Sequence, residues 1–115
     1  MFQLREQHMQ AIGRNIFVDR VTKFLIEEFP EAGDMDHSEL GDEVARQVRK
    51  AESYGLHTER QAVKYVVTAW MMGTDFDTKF DATRGVLPSE QFTADEKAEW
   101  LEEWVMTIFE ALENR

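Results

Sequence analysis

Apolar side chains recur at three- and four-residue spacing in four stretches of this chain, and each stretch predicts one helix. In the first, Met9, Ile12, Ile16, Phe17, Val21, Phe24 and Leu25 line one side of a segment from about Leu4 to Phe29, where Pro30 stops it. Gly13 is the position where this helix is expected to kink or break. The second stripe is Leu40, Val44, Val48 and Ala51, which leaves Arg46, Arg49 and Lys50 towards water. The third, from Ala62 to Met72, is apolar on nearly every side, as expected of a central helix surrounded by others. Its Lys64 and Thr68 require one face to approach the surface. Val63, Val66 and Val67 weaken intrinsic helix propensity, so packing must hold this element, and a short buried strand over Tyr65 to Val67 is the competing reading. The fourth stripe is Trp100, Leu101, Trp104, Val105, Ile108 and Leu112.

The connections carry their own signals. Glu31 to Met35 reads as a loop, after which Asp36 with Glu39, or Ser38 alone, offers an N-cap. Gly55 stands where a helix C-terminus needs a left-handed residue, and Leu56 supplies the apolar contact that accompanies such a stop. Thr58 and Gln61 fit a capping box, so the third helix begins within a few residues of the second ending. From Gly73 to Phe92 the pattern is irregular, with Gly85 and Pro88 as breakers. Phe76, Phe80, Val86, Leu87 and Phe92 are the expected anchors that make this an ordered loop. Thr93 and Glu96 form a second capping box. The expectation is an all-α fold: a compact bundle of about four helices, with a short link between the second and third and a long ordered loop before the last. At 115 residues the chain is expected to form a single domain over residues 1–115.

Charge changes the picture at one end. The net charge is −10, and Glu90, Asp95, Glu96, Glu99, Glu102, Glu103, Glu110 and Glu113 against Lys97 and Arg115 place −6 of it between Glu90 and Arg115. Such a surface repels phosphates, which argues against nucleic acid, and it suits either simple solvation or a basic protein partner. Cysteine is absent, so disulfides, thiolate chemistry and cysteine-ligated metals are excluded. The first residues show no export-signal pattern and charges interrupt each apolar run, so a cytoplasmic protein without a membrane span is expected.

Candidate chemistry is sparse. Asp75, Asp77 and Asp81 resemble the start of a calcium loop, but Lys79, Phe80 and Val86 stand where that loop needs an oxygen donor, a glycine and a glutamate. The expected role of Asp75 and Asp77 is to cap backbone amides in a tight turn, with Phe76 plugging the core. His8, His37 and His57 have no metal-ligand spacing. Ser38, Ser53 and Ser89 lack a nucleophile elbow, and the pairs Glu27/Glu28 and Glu102/Glu103 point in different directions on their helices. No catalytic residue, metal site or cofactor is expected. Trp100 and Trp104 lie one turn apart on the acidic helix, a spacing that suits both core packing and a binding hot spot.

Tyr54-Gly55-Leu56-His57-Thr58-Glu59-Arg60, an apolar helix, and then Gly73-Thr74-Asp75-Phe76-Asp77 resemble the pattern of small helical proteins encoded beside type VI secretion effectors in Gram-negative bacteria. There a "YGI-x-TE" turn precedes a helix ending in "G-x-DFD", and Phe29-Pro30 also fits. The resemblance covers about a quarter of the chain. That group often continues with an aspartate-proline and a proline-tryptophan pair, whereas this chain reads Thr78-Lys79-Phe80-Asp81 with no proline before Pro88. The resemblance implies a cytoplasmic adaptor or co-chaperone that holds a toxin or its loading factor before secretion. An immunity protein that blocks a cognate toxin through its acidic face is the alternative. A homo-oligomeric structural role and a small enzyme are the remaining classes. The candidate partner-binding residues are Asp75, Phe76 and Asp77 in the turn, and Glu99, Trp100, Glu102 and Glu103 on the last helix.

Overall fold

Proline geometry sets the first boundary of the fold. The computed structural model describes residues 11–113, with side chains from Ile16 onward, and carries helix α1 over Ala11–Glu28 without interruption at Gly13. The predicted start near Leu4, the apolar position Met9, His8 and the side chain of Ile12 lie outside the described residues. Phe29 is extended (φ −129°, ψ 91°), as a residue before proline must be. Pro30 then opens a 3-10 turn, Pro30–Asp34, in place of the expected loop, and Ala32 within it is fully buried.

Helix α2 spans His37–Ser53, and the Asp36 carboxylate accepts hydrogen bonds from the amides of Ser38 (2.9 Å) and Glu39 (3.1 Å). All four residues of its predicted stripe are buried. At its end Leu56 N–H donates to the Ala51 carbonyl and Gly55 N–H to the Glu52 carbonyl, both at 3.0 Å, with Gly55 at φ +90°. This is the glycine stop read from the sequence, and Leu56 is fully buried beneath it.

Helix α3, Glu59–Met72, starts from the Thr58 capping box and is helical throughout, so the strand alternative at Tyr65 to Val67 does not hold. Thr68 is buried, contrary to the surface position expected of it, because its hydroxyl returns to the Lys64 carbonyl at 2.7 Å. The segment 73–92 contains two short helices that the sequence pattern did not predict, α4 (Phe76–Lys79) and α5 (Asp81–Val86). The Thr83 hydroxyl ties them together, lying 2.8–3.1 Å from the carbonyls of Phe76, Asp77 and Phe80. Phe92 is exposed and is not one of the anchors. Helix α6, Ala94–Glu113, begins at the second capping box, in which Glu96 N–H donates to Thr93 Oγ1 and Thr93 N–H to Glu96 Oε1.

The result is an all-α bundle, with no strand among the described residues. Helix α3 touches α1, α2, α4 and α6, and α1 packs on α2. Tyr65, Phe17, Phe76, Leu25, Leu40, Leu56, Leu87 and Leu101 are the large side chains fully removed from solvent. Each aliphatic or phenyl group among them contributes about 1.5–3 kcal/mol of transfer free energy. Leu112, placed on the buried stripe by its spacing, is 53% exposed. Among the described residues no helix is long and apolar enough to cross a membrane.

Candidate partner-binding surface

The turn after α3 folds as it does because α2 presents cations to it. Gly73, at φ +109°, ends α3, and Phe76 then drops into the core with its ring centroid 4.9 Å from Tyr65 and 6.3 Å from Trp104. Anchoring Phe76 brings Asp77 inside as well. One carboxylate oxygen of Asp77 accepts from Lys50 Nζ at 2.8 Å and the other from the Tyr54 hydroxyl at 2.7 Å. Lys50 Nζ and Gln47 Nε2 each also donate to the Thr74 carbonyl at 3.0 Å. Glu43 completes the cluster by accepting from Gln47 (2.6 Å) and Arg46 (3.2 Å).

The electrostatics follow from these partners. Burial pushes the Asp77 carboxyl upward, but hydrogen bonds from Lys50 and Tyr54 outweigh it and hold the group below its ordinary value. Glu43 is lowered in the same way, its burial offset by Gln47 and Arg46. Burial, with Asp77 adding to it, pushes the Tyr54 phenol up to about 12. Tyr65 is raised too, by burial first and then by the Asp77 charge. Both oxygens of Asp77 are occupied and its side chain is 4% exposed, so the cluster is built as an interior ion pair and not as a base presented to a substrate.

Three expectations change here. Asp75 and Asp77 do not cap the turn through their side chains: Asp75 precedes α4 without a side-chain cap and is 73% exposed, 3.8 Å from Arg46 and from Lys50. Phe76 and Asp77 are interior and leave the candidate surface. Arg46 and Lys50 are half-buried in this cluster, and of the three cations assigned to water only Arg49 is exposed. Lys50 and Tyr54 are the residues that sequence reasoning missed. Their spacing of four places both beside the α2 stripe, but their partner lies more than twenty residues away.

The candidates on α6 do come together. Glu99, Glu102 and Glu103 are exposed, along with Glu96, Glu110 and Glu113 on the same helix. The helix offers no exposed cation against them, because Lys97 is buried and donates through Nζ to the Tyr54 carbonyl at 3.0 Å. Lys64 on α3 reaches Glu102 only at 3.8 Å. Trp100 is half-buried and stacks on Trp104, with centroids 5.5 Å apart and planes 13° apart. Trp104 meets Phe80 edge-on at 5.2 Å, so this pair extends the core outward to the acidic surface. Among the described residues no three His, Asp or Glu side chains converge as metal ligands. No protein family, curated protein or solved structure matches the chain.

Proposed function

We propose that this chain is a non-catalytic, cytoplasmic protein-binding accessory protein that docks a basic partner through the outer face of α6. The observation that supports the reading is the run of exposed carboxylates Glu96, Glu99, Glu102, Glu103, Glu110 and Glu113, with the only lysine of the helix turned inward. A face of one sign steers an oppositely charged partner and rejects like-charged ones. Within this class the resemblance of the Tyr54–Arg60 turn and the Gly73–Asp77 segment to proteins encoded beside type VI secretion effectors favours an adaptor or co-chaperone for a secreted effector.

The second reading, an immunity protein, draws on the same acidic face, which suits the basic cleft of a nuclease-like or lysozyme-like toxin. Expression of the tagged chain within its native gene neighbourhood, purification at mild salt and mass spectrometry of what accompanies it separate the two. An adaptor brings down a full-length effector with a second loading protein, and its deletion leaves cells alive but blocks secretion. An immunity protein brings down an isolated toxin domain, and its deletion kills cells that carry the active toxin. Recovery of the chain alone would remove the support for both.

A further inference from the structure

A helix apolar on nearly every side should be covered on every side, and among the described residues the cover of α3 is incomplete. Helices α1, α2, α4 and α6 touch it, yet Val67 and Met71 on its outer side are only half-buried. They line an open groove of about 320 Å³ that Val105 and Met106 bound on α6 and Phe24 on α1. Met106 is 58% exposed at its edge. Val67, Met71 and Met106 give a second surface apolar side chains to pack on, and the charge beside them decides which surface that is.

The α6 edge of the groove says what that surface carries. Glu99, Glu102, Met106, Glu110 and Glu113 recur at three- and four-residue spacing, so they form one longitudinal stripe, and all five are exposed. The stripe is a methionine beside the groove with two carboxylates on each side of it. Its only cation within ion-pair range among the described residues is Lys64, at 3.8 Å from Glu102. A neutral or acidic occupant would desolvate these carboxylates without compensating them, whereas a basic one pairs with them.

We infer that the groove between α1, α3 and α6 receives an amphipathic basic helix of the partner. Its apolar side chains insert over Val67, Met71 and Met106, and its lysines or arginines meet Glu99 and Glu102 at one end and Glu110 and Glu113 at the other. The occupant is read at helical spacing because the acceptor stripe is itself helical and about 20 Å long from Glu99 to Glu113 at about 1.5 Å per residue. Residues 1–10 of this chain are a poorer match, since Arg5 and Glu6 cancel and offer no net charge to the stripe. The inference rests on the protein-binding reading above and assigns it a pocket and a partner chemistry.

The test uses three labelled peptides of about 18 residues, enough for five helical turns: an amphipathic Leu/Lys helix, a scrambled Leu/Lys peptide of the same composition, and an amphipathic Leu/Glu helix. Fluorescence anisotropy with the full chain should show the amphipathic basic helix binding about tenfold or more tighter than either control. Met71→Ser and Met106→Ser, both at partly exposed positions and checked for unchanged helical content, should each weaken it by about tenfold. Equal binding of the scramble, or unchanged affinity in both groove variants, overturns the inference. Tighter binding by a Phe2→Ser, Leu4→Ser variant also overturns it, because the chain's own first residues would then be the occupant. Failure of the groove and failure of the docking face give different results. Capture of the native partner that is lost on charge reversal of α6 but kept in Met71→Ser and Met106→Ser rejects the groove alone; capture kept after charge reversal rejects the docking face itself.

Discussion

Removing the Asp77 carboxylate should destabilise the protein far more than removing its neighbour Asp75, although the two look alike in sequence. Asp77→Ala deprives the Tyr54 hydroxyl of its acceptor at 2.7 Å and Lys50 Nζ of its counter-ion at 2.8 Å. Leaving the half-buried Tyr54 phenol unpaired costs towards the lower end of the range of about 1–3 kcal/mol for a fully buried group. Stranding one partner of a fully buried ion pair costs about 3–5 kcal/mol, but Lys50 is 21% exposed and keeps the Thr74 carbonyl. The sum is therefore set at about 2–4 kcal/mol. Asp75→Ala removes only 3.8 Å contacts from a side chain that is 73% exposed and should stay within about 0.5 kcal/mol. Urea unfolding followed by tryptophan fluorescence and by far-ultraviolet circular dichroism measures both. A pH series adds a sign test. The folded carboxyl lies below its ordinary value of 3.8, so its contribution is fully present above that pH and is lost as pH falls through the folded value. The gap between wild type and Asp77→Asn, which keeps the shape, should accordingly close as the solution is acidified. Equal costs for Asp75→Ala and Asp77→Ala, or a gap that does not change with acid, would refute the interior ion pair.

At the other end of the pH scale the raised phenols keep their protons in the folded state, so stability should fall as pH rises through 10 towards the Tyr54 value of about 12, and ultraviolet titration should show tyrosine ionisation delayed until unfolding. Gly55→Ala forces a side chain into φ +90° and should cost about 1 kcal/mol or more in the same urea assay. Gln61→Ala should cost more than the roughly 0.5–2 kcal/mol of a lost N-cap. Its side chain accepts from the His57 and Thr58 amides and also donates to Asp95 at 2.7 Å, joining the start of α3 to the start of α6. A smaller loss than for Thr58→Ala would contradict that link. Glu99→Lys, Glu102→Lys and Glu103→Lys together should leave circular dichroism unchanged, since all three are exposed.

Features encoded by neighbours in the chain were legible, and features encoded by distant partners were not. The Asp36 cap, the Gly55 stop and the capping boxes at Thr58 and Thr93 each need residues within five positions of one another, and all four form as read. The apolar stripes of α2 and α3 likewise named the core. Asp77 was misread because its partners arrive from α2, more than twenty residues earlier, and only the burial of Phe76 brings them together. Thr68 was misread for a related reason, and Lys97, which entered the sequence reading only as a charge, is a second case. Each is polar, yet each is buried because it finds a carbonyl, Lys64 for one and Tyr54 for the other. Leu112 keeps the helical spacing of Leu101 and Val105 but is not packed as they are, and periodicity cannot report where cover ends. For the candidate surface, the acidic α6 face was legible from charge alone. The groove beside it was not, because the all-round apolar pattern of α3 implies complete cover.

The docking face is tested most directly by capturing native partners on the tagged wild-type chain and on the Glu99→Lys, Glu102→Lys, Glu103→Lys variant side by side, at low and high salt. The account predicts a protein recovered with the wild type, depleted as salt rises and absent from the folded variant, because exposed charges act through a field that salt screens. Recovery of the same protein in equal amount on both, indifferent to salt, would contradict it.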